Sequence, residues 1–74
     1  MFGEELRKAR LRAGLTQQAL ADKAGLHYTY VCHLEHDRYS PTLSAFFRLC
    51  DALSVVPAQL IARIDKSRVP KKGG

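Results

Sequence analysis

Residues Gln17 to His36 read QQALADKAGLHYTYVCHLEH. Leu20, Ala21, Ala24, Leu26, Val31 and Leu34 are apolar and fall at helical spacings on either side of Gly25. Gly25 ends the first of these segments, because a left-handed backbone costs glycine little. Two short helices are predicted, 17–24 and about 27–36, with only two or three residues between them. A connection that tight cannot fold the helices back side by side, so they must cross steeply. Ala21 is small where they cross, Val31 faces it from the other helix, and Leu20, Leu26 and Leu34 tie both to the remaining core.

The rest of the chain supplies that core. A first helix is expected from Phe2 or Gly3 to Ala13, with Phe2, Leu6, Ala9 and Ala13 in one apolar stripe. Glu4 and Glu5 stand at its positive end and Arg7, Lys8, Arg10 and Arg12 towards its negative end, as the helix dipole favours; Gly14 stops it. Thr16 caps the second helix. Pro41 biases Ser40 away from helical geometry, and Thr42 caps a fourth helix to about Leu53, with Leu43, Phe46, Phe47, Cys50 and Leu53 in its stripe. Pro57 suits a first helical position, and a last helix is expected from Ala58 to about Ile64, carrying Leu60, Ile61 and Ile64. From Asp65 the chain turns polar and basic. The organisation predicted is therefore an all-α domain over 1–64 and a basic, flexible tail over 65–74.

The chain has 74 residues and a formal net charge of +5, with 46% hydrophobic and 26% charged residues, a balance that folds rather than stays disordered. So short a chain buries only about 60% of its unfolded surface, which leaves little room for a deep catalytic cleft. No apolar run approaches the roughly 20 residues of a membrane span. The acidic start, Met1-Phe2-Gly3-Glu4-Glu5, is not an export signal, so a cytoplasmic location with reduced Cys32 and Cys50 is expected. The positive excess points to an acidic partner, most commonly nucleic acid. At about 100° per residue, the third helix turns Tyr28, Thr29, Cys32, His33 and His36 to one side and Val31 and Leu34 to the other. A merely solvated face would carry Lys and Glu. This one offers uncharged donors and acceptors, the chemistry needed to read base edges in a major groove, and Tyr28, Thr29, Cys32 and His33 are the candidate readers.

The stretch Leu15-Thr16-Gln17-Gln18-Ala19-Leu20-Ala21, followed by Ala24-Gly25-Leu26, Val31-x-x-Leu34-Glu35, Pro41-Thr42-Leu43 and Leu53, resembles the Cro/cI-type (XRE-type) helix-turn-helix family over roughly residues 6 to 60. Within it, His27 to Glu35 is similar to the small controller proteins of restriction–modification systems. The resemblance implies a compact five-helix, lambda-repressor-like domain that binds operator DNA as a dimer, with the helix-turn-helix over about 17–36. It further implies that Thr16 and Gln17 meet a backbone phosphate at the start of the second helix. His36, Arg38, Tyr39 and Ser40 would hold phosphates at the end of the third helix and in the loop beyond it. Arg10 and Glu35 would form an ion pair between the first and third helices. Two positions depart from the family pattern. Asp37 stands where glycine is usual, and His27 where a capping Ser or Thr is common.

Other chemistries find little support. Cys32 and His36 are four apart, a chelating spacing, but a structural zinc site wants four ligands and no second pair lies nearby, so no metal is expected. Cys50 reads as a core residue, and a Cys32–Cys50 disulfide is not expected because the two face opposite ways. Tyr30 reads as a packing residue at the core's edge. No phosphate-cradling glycine loop, nucleophile triad or close carboxylate pair with a catalytic role is present, so neither an enzyme nor a cofactor is expected. One short helix reads too few base pairs to be selective in a genome. A two-fold dimer doubles the readout, and Phe47, Val56, Ile61 and Ile64 are the expected contact. The alternative is an antitoxin-like module that uses this surface to hold another protein, with DNA binding secondary; activation would instead require a surface for RNA polymerase.

Overall fold

The structure, a computed structural model, describes residues 1–68. It contains five helices: α1 (Phe2–Arg12), α2 (Gln17–Ala24), α3 (Tyr28–Glu35), α4 (Leu43–Leu53) and α5 (Pro57–Ser67). No strand occurs among the described residues.

Local chemistry sets the boundaries. The Thr16 hydroxyl accepts from the Ala19 N–H and the Thr42 hydroxyl from the Ala45 N–H, each at 3.0 Å, which satisfies a donor the helix itself leaves orphaned. Gly14 and Gly25 sit at φ +71° and +70°, where a side chain would be strained. Pro57 opens α5 at its first turn, where the missing N–H costs nothing. α3 is one residue shorter at each end than the periodicity suggests. His27 and His36 are its caps, and His27 offers no side-chain hydrogen bond to the helix.

Two clusters form the core. Leu6 and Ala9 of α1, Leu20, Ala21 and Ala24 of α2, Val31 and Leu34 of α3, and Leu49, Ala52 and Leu53 of α4 make the larger one. Phe46 and Cys50 of α4 with Leu60 of α5 make the smaller, with Phe2, Val55 and Ile64 packed on it. Ala21 and Val31 are both fully buried in the larger cluster, where α2 and α3 meet. Burial pushes the Cys50 thiol above its ordinary value and keeps it protonated.

The structure corrects several expectations. Ala13 is exposed, because α1 has already ended and turned towards Gly14. Leu43 and Phe47 leave the α4 stripe, and Leu49, overlooked there, is fully buried. A helix of this length has one buried arc, and Leu49 lies nearer its centre than either Leu43 or Phe47. α5 continues to Ser67, three residues into the expected tail, with Ser67 Oγ donating to the Ile64 carbonyl. The remainder of that tail, 69–74, lies outside the described residues.

Asp37, the departure from the family pattern, takes the left-handed conformation glycine would have taken, at φ +56°. That geometry costs an L-residue roughly 1–2 kcal/mol, least for Asp and Asn with local hydrogen bonds. Here the carboxylate is put to use: Asp37 Oδ1 accepts from the Gly3 N–H at 2.9 Å. Met1 provides no side-chain cap for α1, so Asp37 caps that helix from across the fold, with its negative charge at the positive end of the dipole. Gly3 allows the approach. A Cβ there would lie 2.5 Å from the Glu35 carbonyl oxygen.

Candidate DNA interface

α3 is held on one flank by a hydrogen-bonded chain that begins in the core. Arg10 of α1 grips Glu35 with both arms of its fork: Nε donates to Oε2 at 2.6 Å and Nη2 to Oε1 at 3.1 Å. Its third nitrogen, Nη1, donates to the Leu15 carbonyl at 2.9 Å and so ties down the turn before α2. Both partners of the ion pair are buried. Hydrogen bonding to Glu35 raises the Arg10 guanidinium further above its ordinary value, against the desolvation that burial imposes. Gln17 of α2 joins the network, its Nε2 donating to Glu35 Oε1 at 3.1 Å. The Cys32 thiol donates to Gln17 Oε1 at 3.2 Å. Hydrogen bonding with the Cys32 sulfur in turn raises the Tyr28 phenol above its ordinary value. No buried side-chain nitrogen or oxygen lacks a partner among the described residues.

The other flank is aromatic. Tyr39, in the loop after α3, meets the His33 ring edge to face, with centroids 4.9 Å apart and planes at 69°. It also lies along Tyr30 at 6.4 Å and 29°. Tyr30, expected only to pack, is partly buried against the core on one side and against Tyr39 on the other. Between the flanks stands Thr29, exposed to solvent. Tyr28, Thr29, Cys32 and His33 thus share one surface with no fixed charge on it.

The candidate phosphate-binding residues form two groups. Thr16, Gln17 and His36 lie near the junction of α2 with the end of α3. There a polar cleft of about 410 Å³ is lined by Gln17 and His36 with Arg7, Glu4, Glu35 and Asp37. Arg7 is a cation beside this site that charge counting along α1 did not single out; only its position opposite the end of α3 reveals it. Arg38, Tyr39 and Ser40 form the second group, all exposed. The Gln17 amide, expected to face a phosphate, is turned inward to Glu35 and Cys32. Among the described residues no three His, Cys, Asp or Glu side chains are grouped to hold a metal ion, and both cysteines are free.

On the α4–α5 side lies a groove of about 410 Å³ lined by Phe2, Pro41, Leu43, Phe46, Ile61 and Ile64. Leu43 is 68% exposed, Val56 55%, Ile61 53% and Phe47 46%, while Ile64 is partly covered by the second core cluster. No single helix among the described residues is long and apolar enough to cross a membrane.

Residues 1–64 match the model of a helix-turn-helix domain family. The chain belongs to that family. Curated relatives include the immunity repressor protein of Bacillus phage phi105, 34% identical over 59 residues, covering 80% of this chain and 41% of the repressor. This helix-turn-helix chain therefore spans about two fifths of that relative's length. Control protein C.BamHI of Bacillus amyloliquefaciens is 31% identical over 62 residues, covering 82% of this chain and 76% of that one. Among solved structures, the restriction-modification controller protein C.AhdI from Aeromonas hydrophila superposes with a TM-score of 0.78 at 36% identity, covering 80% of this chain and 89% of that one. The chain thus falls among the Cro/cI-type, controller-like helix-turn-helix proteins.

Proposed function

We propose that the chain binds operator DNA as a symmetric homodimer, with α3 of each copy in a major groove. The observation that carries this is the outward face of α3. It is neutral and rich in hydrogen-bonding groups, in a chain whose net charge is +5. Charge draws the protein to DNA, and Tyr28, Thr29, Cys32 and His33 select the sequence through base edges. Thr16, His36, Arg38, Tyr39 and Ser40 meet phosphates on either side. With its amide engaged by Glu35 and Cys32, Gln17 contributes its backbone N–H at the start of α2. Arg7, opening on the same cleft as His36, adds a cation there.

The dimer contact is the α4–α5 face: Phe47, Val56, Ile61 and Ile64, extended by Leu43 along the apolar groove. The contact is isologous, and the two α3 helices then stand about 34 Å apart, one turn of DNA. The role is transcriptional control from a cytoplasmic location. The same groove gives the alternative reading, an antitoxin-like module, its specific support; a stoichiometric second protein co-purifying at endogenous level would favour that reading over a bare homodimer.

Binding-site selection tests the main reading. The expected result is a two-fold symmetric motif, with base preference relaxed by Thr29→Ala or His33→Ala and affinity lowered on all sequences alike by Arg38→Ala. Binding should fall steeply with salt, with a slope of about 0.9 for each phosphate neutralised. A selection that enriches no motif would count decisively against it. Sedimentation checks the assembly: a strict monomer with and without DNA excludes the dimer.

A further inference from the structure

Tyr39 is 55% exposed and belongs to a loop, yet its ring touches two α3 residues that lie nearly one turn apart. The backbone holds it in place: the Arg38 N–H donates to the His33 carbonyl at 2.9 Å, which pins the loop to the same residue that the Tyr39 ring meets. The His33 imidazole has no hydrogen-bond partner among the described residues.

An imidazole without a hydrogen bond rotates broadly about its last single bond. For a base reader that rotation matters, because neutral histidine presents a donor on one nitrogen and an acceptor on the other. Turning the ring over puts carbons where the nitrogens stood, which moves both the donor and the acceptor and changes the base that fits. The Tyr39 ring, 4.9 Å away and at 69° to the imidazole, occupies the space on one side and removes part of that range. We infer that Tyr39 is a positioning residue, whose ring orients the His33 imidazole and so sets the base preference at the position His33 meets. This rests on the reading of α3 as the base-contacting helix. It also separates two roles within one side chain: the hydroxyl for phosphate, the ring for His33.

Binding-site selection on the full chain, run in parallel with thermal melts, distinguishes them. His33→Ala should flatten one base position in each half-site by about 5- to 150-fold, the discrimination a well-placed side chain supplies. Tyr39→Leu should flatten the same position by about two- to tenfold, what an edge-to-face aromatic contact can hold, while preference at the positions dependent on Thr29 stays intact. Tyr39→Phe should keep the preference at every position and lower affinity evenly. The His33 ring-proton resonances should be displaced by the neighbouring ring in the wild-type chain and in Tyr39→Phe, and relax in Tyr39→Leu. Full preference retained in Tyr39→Leu, or a loss spread evenly over all positions, overturns the inference. If His33→Ala itself changes no position, the base-reading assignment of α3 fails and the inference falls with it; a His33 effect without a Tyr39 effect overturns the inference alone.

Discussion

The two flanks of α3 are built from opposite materials. One is a buried, charged, hydrogen-bonded chain from Arg10 through Glu35 and Gln17 to Cys32, anchored in α1 and α2. The other is an exposed aromatic contact from Tyr39 to His33 and Tyr30, anchored only in a loop. Removing part of the first leaves an unpaired charge in a dry place, whereas removing part of the second leaves a ring in water. The buried flank therefore governs whether α3 stays docked, and the exposed one governs how its side chains point. On the proposed reading, stability rests on the contacts of one flank and selectivity on those of the other.

Glu35→Ala should be the most damaging single change. It strands the Arg10 guanidinium, and breaking a buried pair from one side costs about 3–5 kcal/mol. For a domain of this size each kcal/mol moves Tm by roughly 4–8 °C, so a circular-dichroism melt should show the loss at once. Replacing both partners, Arg10→Met with Glu35→Leu, should cost less than Glu35→Ala alone. A double variant worse than the single would mean that the ion pair supplies more than desolvation removes, which would redraw the contrast between the flanks.

Next comes Gly3→Ala. Its Cβ would stand 2.5 Å from the Glu35 carbonyl oxygen, so α1 must lift from the end of α3 at a cost of about 1–3 kcal/mol, measurable as a lower urea midpoint. Asp37 tests the same junction with a definite order. Asp37→Ala loses the hydrogen bond to Gly3 and keeps the left-handed strain, a fall of about 1–3 kcal/mol. Asp37→Gly loses the bond but relieves the strain, so its midpoint should lie above that of Asp37→Ala. The reverse order would show that left-handed strain does not decide this position, and an Asp37→Ala midpoint equal to that of the wild type would show that the carboxylate does not cap α1. The smallest change in stability belongs to Tyr39→Leu, below about 1.5 kcal/mol for an exposed edge-to-face pair. A fall as large as that of Glu35→Ala would erase the distinction between the flanks.

Much of this was legible along the chain. Thr16, Gly25, Thr42 and Pro57 act within one turn of their own position, and local chemistry of that kind needs no tertiary partner to be read. The uncharged face of α3 followed from helical periodicity alone. Where stripes failed, a neighbouring helix had decided. Leu43 and Phe47 have the same apolar character as Leu49, and only the placement of α4 against α2 and α5 buries one and leaves the others exposed. Tyr30 packs at the core's edge as its position suggests, but its contact with Tyr39, and the cleft that Arg7 shares with His36, each join different elements and could not be read along the chain.

By itself, then, the sequence determined the all-α order of five elements, the tight turn at Gly25 and the neutral surface of α3, because each depends on residues within a few positions of one another. Tertiary structure alone decided that the Gln17 amide faces Glu35 and Cys32, that Asp37 caps a helix 34 residues earlier, and that a loop tyrosine lies against His33. Hydrogen bonds and ring contacts act over a few ångströms of space, whatever the separation along the chain, and only the packed helices bring those atoms within reach.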